Sequence, residues 1–193
     1  MDINNNTIRT FIACPIPSAT LQQISQIQDQ IKSYKWRVRW VSVSNIHLTL
    51  SFLGDIHISM LQKIVHALNP LVNTQESFRF VLGNLGVFPN TSRPNVLWLG
   101  LTGDTRPLVV FQKNLQNALI PLGFSEDKRK FKAHLTLGRI KGPVPKNQLA
   151  TALCMDISGE NHQCCCDRLV FYQSQLSSKG AQYFKLHEWT FCI

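Results

Sequence analysis

Short apolar runs rich in β-branched and aromatic residues alternate along this chain with longer stretches in which apolar residues recur every three to four positions. The short runs predict β-strands, and the longer stretches predict amphipathic helices. Strands are predicted at residues 10–14, 38–43, 46–53, 78–87, 96–101, 132–140, 168–173 and 183–191. Helices are predicted after Pro17, around residues 61–68 and after Thr105. The alternation indicates an α+β protein.

The predicted helix ends rest on residues with known end preferences. Ser59 and Gln62 have the spacing of a capping box, so the second helix is expected to begin there and to end near Pro70. Gly123 is the expected stop of the third helix. Residues 146–163 carry no readable pattern, and no change of composition marks a linker.

One tetrapeptide occurs twice in the chain. His-Leu-Thr-Leu occupies residues 47–50 and 134–137, which are 134 − 47 = 87 positions apart. Each copy falls within a predicted strand that follows a predicted helix, as expected of a duplicated half-domain. We therefore expect residues 1–193 to form one bilobal domain, with antiparallel sheets related by a pseudo-twofold axis, helices outside and a central cleft.

The repeated segments place chemically useful side chains on one face of each strand. Alternate residues of a strand share a face, so His47 lies beside Thr49 while the leucines face the core. His134 and Thr136 repeat this arrangement. If the two strands are neighbours, two imidazoles, each with an ordinary pKa of about 6.5, can share acid-base catalysis of phosphodiester cleavage while the hydroxyls bind the phosphate. Four histidines lack such a repeat and are predicted to be surface or locally bonded residues: His57, His66, His162 and His187.

The balance of charge favours a polyanionic partner. The chain has 20 Lys and Arg against 11 Asp and Glu, a formal charge of +9, which suits a phosphate-bearing ligand such as RNA. No apolar run reaches the roughly eighteen residues of a membrane span, and residues 1–7 lack the basic and then apolar character of a leader. We expect a cytoplasmic protein with no membrane association and no obligatory protein partner.

The cysteines do not form a recognisable metal or disulfide pattern. They are Cys14, Cys154, Cys164, Cys165, Cys166 and Cys192. The triple cysteine, with His162 nearby, is the one place where a metal could be argued, but adjacent residues of an extended chain point to opposite faces. The sequence therefore predicts reduced thiols, no metal site and no cofactor, and it leaves the role of the triple cysteine open.

The paired motifs and their flanks resemble the RNA 2′,3′-cyclic phosphodiesterases, also called 2′-5′ RNA ligases, of the two-histidine phosphoesterase superfamily. The similar segments span nearly the whole chain, at residues 9–13, 39–41, 45–54, 93–98, 134–139 and 171–174. The resemblance implies a bilobal α+β fold with the motifs facing across a cleft. It also implies metal-independent hydrolysis of a terminal 2′,3′-cyclic phosphate of RNA to a 2′-phosphate.

Residue roles follow from the resemblance motif by motif. It implies that His134 activates water, that His47 protonates the departing 3′ oxygen, and that Thr49 and Thr136 bind the phosphate. It further implies that Arg139 neutralises the phosphate and that Phe52 stacks on the terminal base. Both of these last residues lie five positions beyond a motif histidine, which in a regular strand is the opposite face. For Arg139 a bulge at Gly138 can correct this, whereas Phe52 has no preceding glycine.

Several functions remain open on the sequence alone. Beside hydrolysis, the enzyme can be expected to catalyse reversible 2′-5′ ligation of RNA, since that is the family's other activity. Alternatives are a module that binds RNA ends without turnover, and a phosphodiesterase for small cyclic nucleotides or 2′-5′ oligoadenylates. The sequence favours the enzyme, because binding alone does not require two titrating imidazoles.

Overall fold

The observed elements follow the hydrophobic pattern of the chain. The computed structural model describes residues 6–157, 163–178 and 180–192. Its strands are β1 (Thr7–Pro15), β2 (Val38–Trp40), β3 (His47–His57), β4 (Phe78–Phe88), β5 (Val96–Thr102), β6 (His134–Ile140), β7 (Gln163–Cys166), β8 (Arg168–Ser177) and β9 (Gly180–Thr190). Its helices are α1 (Ser18–Lys32), α2 (Leu61–Val72), α3 (Arg106–Leu119) and α4 (Lys146–Leu153). The predicted strands and the three predicted helices are all present.

The start of α2 differs from its prediction. Ser59 does not cap the helix, because it lies in a preceding 3-10 turn, where its backbone N–H donates to the Nδ1 of His57 over 3.2 Å. Pro70 lies inside α2, two residues before its end. The capping-box prediction was therefore wrong, while Gly123, with a φ of +92°, does end the third helical segment.

One antiparallel sheet runs through the described part of the chain. Its strands follow the order β7-β4-β5-β6-β3-β1-β8-β9, and β2 pairs with β6. The sequence predicted two related sheets, and these are the two arms of the single sheet. One arm contains β4, β5, β6 and β7, and the other contains β1, β3, β8 and β9. The α+β class and the antiparallel pairing are confirmed.

The two motif-bearing strands are the junction between the arms. β3 and β6 are antiparallel neighbours, and Leu48 lies opposite Leu135 at the point where they pair. Both leucines are fully buried. Because side chains alternate along a strand, burial of this pair presents the residues on either side of it at the opposite surface. The junction therefore positions both motifs at once.

The helices cover the apolar side of the sheet. α1 buries Ile24, Ile27 and Ile31, and α3 buries Leu108 and Phe111. Both sets join one continuous core with the motif leucines, so the sheet and helices share a single apolar interior. None of the helices in the described ranges combines the length and the apolar character needed to cross a bilayer.

Candidate active site

The two motifs form one group of four polar side chains on the surface of the junction. From the pairing of Leu48 with Leu135, the antiparallel register brings His47 opposite Thr136 and Thr49 opposite His134. All four side chains are half-buried on this face, which we call the cleft face. Neither threonine hydroxyl makes a hydrogen bond within the described residues, so both are free to donate to a ligand.

Each motif ends in a β-bulge. On β3, Ile12 and Ala13 of β1 lie opposite Ser51 and Thr49, which leaves Leu50 as an extra residue. On β6, Leu97 and Trp98 of β5 lie opposite Gly138 and Thr136, so that Leu137 is the extra residue. The fourth residue of each His-Leu-Thr-Leu segment is therefore the one inserted in the strand. An inserted residue shifts the alternation of faces by one position.

The bulges return Phe52 and Arg139 to the cleft face. Arg139 is exposed beyond two successive buried residues, and its partner on β5, Val96, shares a face with Trp98. Phe52 lies opposite Phe11, and their ring centroids are 6.2 Å apart. The expected bulge beside Gly138 is confirmed, with Leu137 as its extra residue. Phe52 reaches the cleft face although no glycine precedes it, because a bulge does not require glycine; its role in stacking stays a prediction.

Gly138 allows β2 to lie close against β6. A Cβ atom at this position would lie 2.6 Å from Cγ1 of Val38 and 3.2 Å from the carbonyl oxygen of Arg39. The close pairing places Arg39 directly opposite Arg139, and both side chains are exposed. Cross-strand partners share a face, so a second guanidinium flanks the cleft. The resemblance at residues 39–41 did not indicate this pairing.

The two imidazoles are oriented by equivalent hydrogen bonds. Nδ1 of His47 is 2.8 Å from the carbonyl oxygen of Asn45, and Nδ1 of His134 is 2.7 Å from the carbonyl oxygen of Lys132. A carbonyl only accepts, so each Nδ1 must carry a proton and donate it. In the neutral ring Nε2 then holds the lone pair. Both histidines can therefore offer Nε2 for proton transfer at the cleft.

Aromatic rings enclose His47. Phe11 stacks on the imidazole with centroids 4.7 Å apart, and Tyr183 meets it edge-on at 5.2 Å. The Tyr172 ring stacks on Phe11 with centroids 5.1 Å apart and lies 6.4 Å from the imidazole. Burial raises the pKa of both phenols, and for Tyr183 the charge of Arg139 partly offsets the rise. Both hydroxyls therefore remain protonated donors, and Arg139 lies within electrostatic reach of the ring beside His47.

His134 has a different set of neighbours. Phe88 and Trp98 meet its imidazole edge-on, with centroids 5.0 Å and 6.1 Å away. The ammonium of Lys132 lies 4.0 Å from the centroid of the Trp98 ring, a cation–π contact. Gly86 makes room for that indole, since a Cβ there would lie 2.1 Å from a ring carbon. A cation therefore stands beside His134, whereas aromatic rings enclose His47.

These surroundings favour neutral imidazoles in the unliganded site. Burial lowers the pKa of His47 from 6.5 to about 4, the carbonyl of Asn45 opposes the shift, and the nearby His134 adds to it. Burial also lowers the pKa of His134, against the raising effect of the Lys132 carbonyl, and the Lys132 charge lowers it further. An anion bound between the rings would stabilise a proton on either of them.

Comparison with known proteins identifies the family. Residues 15–98, which include the first motif, match the model of the LigT like Phosphoesterase family. The RNA 2′,3′-cyclic phosphodiesterase of Thermotoga maritima is 33% identical over 184 residues, covering 95% of this chain and 96% of that protein. This chain belongs to the LigT-like phosphoesterases. The RNA 2′,3′-cyclic phosphodiesterase of Methanothermobacter thermautotrophicus is 32% identical over 143 residues, or 74% of this LigT-like chain and 77% of that protein.

Solved structures support the fold of this LigT-like phosphoesterase. The protein TT0787 of Thermus thermophilus superposes with a TM-score of 0.81 at 24% identity, covering 95% of this chain and 98% of that one. The E. coli LigT complexed with 3′-AMP gives a TM-score of 0.78 at 22% identity, covering 96% and 98%. The predicted family, fold class and enzyme class are confirmed. The roles of individual residues stay predictions.

The remaining histidines of this LigT-like chain have local partners. His57 bonds Ser59, His66 bonds the carbonyl of Gln62 at 2.7 Å, and the His187 ring contacts the Trp189 ring at 4.5 Å. The prediction of surface or locally bonded side chains is confirmed for His57 and His66, which are exposed, whereas His187 is half-buried against Trp189. His162 lies outside the described residues.

The triple cysteine alternates across β7 as expected. Cys164 and Cys166 are buried and Cys165 is exposed. Hydrogen bonding to Cys166 raises the pKa of Cys164, and hydrogen bonding to Cys14 raises that of Cys166, so Cys164 and Cys166 stay as thiols. All six cysteines are free, in keeping with the predicted reduced state. No group of three or more potential metal ligands is present among the described residues.

Sequence reasoning missed the surroundings of the motifs. Their outer residues are Phe11, Arg39, Phe88, Trp98, Lys132, Tyr172 and Tyr183. Most come from strands distant in sequence, and no spacing pattern links them to the motifs. A groove of about 340 Å³ beside Phe52 is lined also by Gln116 on α3 and by Phe124.

Proposed function

We propose that this protein hydrolyses the terminal 2′,3′-cyclic phosphate of RNA to a 2′-phosphate, with His47 and His134 as a metal-independent acid-base pair. The observation that carries the proposal is the junction of β3 and β6, which brings both repeated motifs to one face with both Nε2 atoms available. Relatives named RNA 2′,3′-cyclic phosphodiesterase cover most of the chain and support the choice of substrate.

In the proposed reaction, Nε2 of His134 removes a proton from water as the water oxygen attacks phosphorus. The bond from phosphorus to the 3′ oxygen breaks, and a protonated His47 supplies the proton that this oxygen takes. Thr49 and Thr136 donate to the non-bridging oxygens, and Arg139 offsets the charge that develops on them. Each acid-base role contributes typically about 10²- to 10⁴-fold to the rate.

Proton uptake accompanies substrate binding in this scheme. Since burial holds the pKa of His47 at about 4, its ring is neutral in the free protein near pH 7. The negative phosphate raises that pKa when it enters the cleft, and His47 becomes the acid. Aromatic rings around His47 exclude water and strengthen this electrostatic contact.

The same geometry serves a parallel reaction, in which a 5′-hydroxyl of RNA replaces water as the nucleophile. The bond from phosphorus to the 3′ oxygen breaks as before, and the product is a 2′-5′ linkage; attack of the 3′-hydroxyl on that linkage is the reverse step. The formal charge of +9 and the Arg39–Arg139 pair support an RNA chain as substrate. The single bilobal domain over residues 1–193, the lack of a metal or cofactor and the cytoplasmic location stay predictions.

A product analysis tests the proposal. Purified protein is incubated in excess EDTA with cyclic-phosphate RNAs, cyclic-phosphate mononucleotides, small 3′,5′-cyclic nucleotides and 2′-5′ oligoadenylates, with a His47→Ala/His134→Ala double variant as the control. We expect 2′-phosphate ends from the first two substrates and none from the control. Activity that needs added zinc or magnesium would contradict the metal-independent scheme. Binding of RNA ends without turnover would favour a non-catalytic module, and products from the last two groups alone would favour a small-nucleotide enzyme.

A further inference from the structure

Two buried glutamines make matching contacts with the two bulges. The Nε2 of Gln28 on α1 donates to the carbonyl oxygen of Leu137 over 3.0 Å. The Nε2 of Gln112 on α3 donates to the carbonyl oxygen of Leu50 over 3.3 Å. The exposed fraction is 1% for Gln28 and 7% for Gln112, so both amides lie in the core. In each motif, the bonded carbonyl belongs to the extra residue of the bulge.

These bonds bring side-chain donors to carbonyls at the points where a bulge interrupts the strand ladder. A buried carbonyl without a donor is destabilising. Leu50 and Leu137 are both buried, so their carbonyls depend on donors from the protein. Gln28 also donates to Val41, whose own N–H donates to Leu137 over 2.9 Å. Each bulge is therefore fixed by a side chain from a helix.

The bulges decide where two residues of the site point. Without the extra residue, the register would shift by one and place Phe52 and Arg139 on the core face. A donor that stabilises the bulge thereby stabilises the cleft-facing position of these side chains. The contacts also cross between halves, because α1 precedes the first motif yet bonds the second, and α3 precedes the second motif yet bonds the first.

We propose that Gln28 and Gln112 are positioning residues, which hold the bulges that aim Arg139 and Phe52 at the substrate. Neither glutamine reaches the cleft face, so each acts through the strand that it bonds. The inference rests on the proposed function, since it assigns the two glutamines to the geometry of that site.

Double-mutant cycles test the assignment. Gln28→Met, which removes the donor and keeps the length, should lower kcat/KM for a cyclic-phosphate dinucleotide by about 10- to 100-fold through misplacement of Arg139. In an Arg139→Ala background the same change should cost less than about 3-fold, because the residue that it aims is already gone. When Gln28→Met is combined with Phe52→Ala, the two losses in kcat/KM should multiply, because Gln28 does not position Phe52. Gln112→Met should show the converse pattern, coupled to Phe52 and independent of Arg139.

A matched control separates positioning from general support of the fold. Thr20 lies on α1, is 2% exposed and donates to the carbonyl of Gln163 over 3.2 Å, away from both motifs. Thr20→Val removes a buried donor from the same helix. It should lower the melting temperature and leave kcat/KM within about 2-fold.

The outcomes are distinguishable. The inference is wrong if the losses in kcat/KM multiply in every combination of a glutamine variant with Arg139→Ala or Phe52→Ala. It is also wrong if Gln28→Met has near wild-type kcat/KM. If Gln28→Met does not fold, Gln112→Met decides, since it removes the single bond to the Leu50 carbonyl. The same cycles can be measured with binding of inorganic phosphate by calorimetry, which requires no turnover. A wild-type protein that binds phosphate with coupled losses but hydrolyses no cyclic phosphate would contradict the proposed function and leave this inference standing.

Discussion

His47 and His134 lie on strands with the same local backbone geometry, but the side chains around them differ in chemistry. Each donates through Nδ1 to a carbonyl two residues earlier, and each is followed by a bulge at the third position beyond it. Around His47 the neighbours are the rings of Phe11, Tyr172 and Tyr183, whereas Lys132 stands beside His134. The backbone that the two motifs share fixes the orientation of both imidazoles, and the different neighbouring side chains set the pKa of each. Two copies of one tetrapeptide can therefore serve as two different catalysts.

The largest effect is expected from the histidines themselves. His47→Ala or His134→Ala should lower kcat by about 10²-fold or more, because each removes one proton-transfer group. If both act in one transition state, the double variant should lose less than the product of the single losses. Single-turnover hydrolysis of a cyclic-phosphate nucleotide measures this. A single variant with near wild-type turnover and normal stability would exclude that histidine from catalysis.

The phosphate ligands should respond similarly on the two strands. Thr49→Ala and Thr136→Ala each remove one neutral donor, a loss of about 1–3 kcal/mol in transition-state stabilisation. Comparable values of kcat/KM in the two variants would show that the duplicated geometry is used symmetrically. Thr→Ser at either position keeps the hydroxyl and provides the control. A defect confined to one strand would show that only one hydroxyl contacts the phosphate.

Arg139→Lys should lower kcat/KM by up to about 10-fold, because the charge remains while the bidentate fork is lost.

Arg39→Ala removes the guanidinium opposite Arg139 and should reduce kcat/KM for RNA more than for a mononucleotide. For Arg39→Ala, the slope of log affinity for RNA against log salt should become less steep by the amount that about one phosphate contact contributes. Arg79→Ala, an exposed arginine on β4, is the charge-matched control for Arg39. Equal losses for both substrates would place Arg39 at the reacting phosphate instead.

The difference in proton affinity can be reduced by one substitution. Lys132→Met removes a charge that lowers the pKa of His134, so that pKa should rise. The pH profile of kcat/KM reports the free enzyme and should be bell-shaped, with its maximum between about 4 and 6.5. The basic limb should move to higher pH in Lys132→Met and stay unchanged in Lys128→Met. An unmoved limb would show that His134 does not set it.

The smallest effect concerns stability in acid. The pKa of His47 is lower in the folded protein than in the unfolded chain, so the unfolded state binds more protons between about pH 6.5 and 4. Stability is complete above this window and falls as the pH drops through it. His47→Phe should reduce the fall in melting temperature between pH 7 and pH 5. An identical fall in both proteins would mean that folding does not lower the pKa of His47.

The alternation of apolar and polar residues predicted the strands and the motif residues well, because a strand that buries every second side chain shows this alternation in neighbouring positions of the sequence. The repeat also suggested two motif strands facing one cleft, but it left open whether these strands are neighbours in the sheet. The bulge of β6 was expected from Gly138, whereas the bulge of β3 was not, since nothing in Leu50 or Ser51 distinguishes a bulged strand from a regular one. α4 and β7 lie in a segment without periodicity, and their place depends on packing against distant elements.

Contacts between residues that are distant in sequence could not be predicted either. Gln28 reads as a polar position between apolar ones on α1, yet it is fully buried because a strand more than a hundred residues later offers it a carbonyl. Arg39 and the tyrosines of β8 and β9 reach the site through strand pairing that no spacing reveals. Such contacts depend on the whole topology, and one sequence contains no signal for them.

The position of β1 in the sheet has a consequence for the order in which the site forms during synthesis. β1 lies between β3 and β8, so the wall around His47 combines an early strand with a hairpin made near the other end of the described chain. A nascent chain emerging from the ribosome can pair β1 with β3 soon after both appear, and the motif of β6 can join them later. His47 stays open on one side until β8 and β9 arrive. The aromatic wall around His47 is therefore complete only once β8 and β9 have joined the sheet.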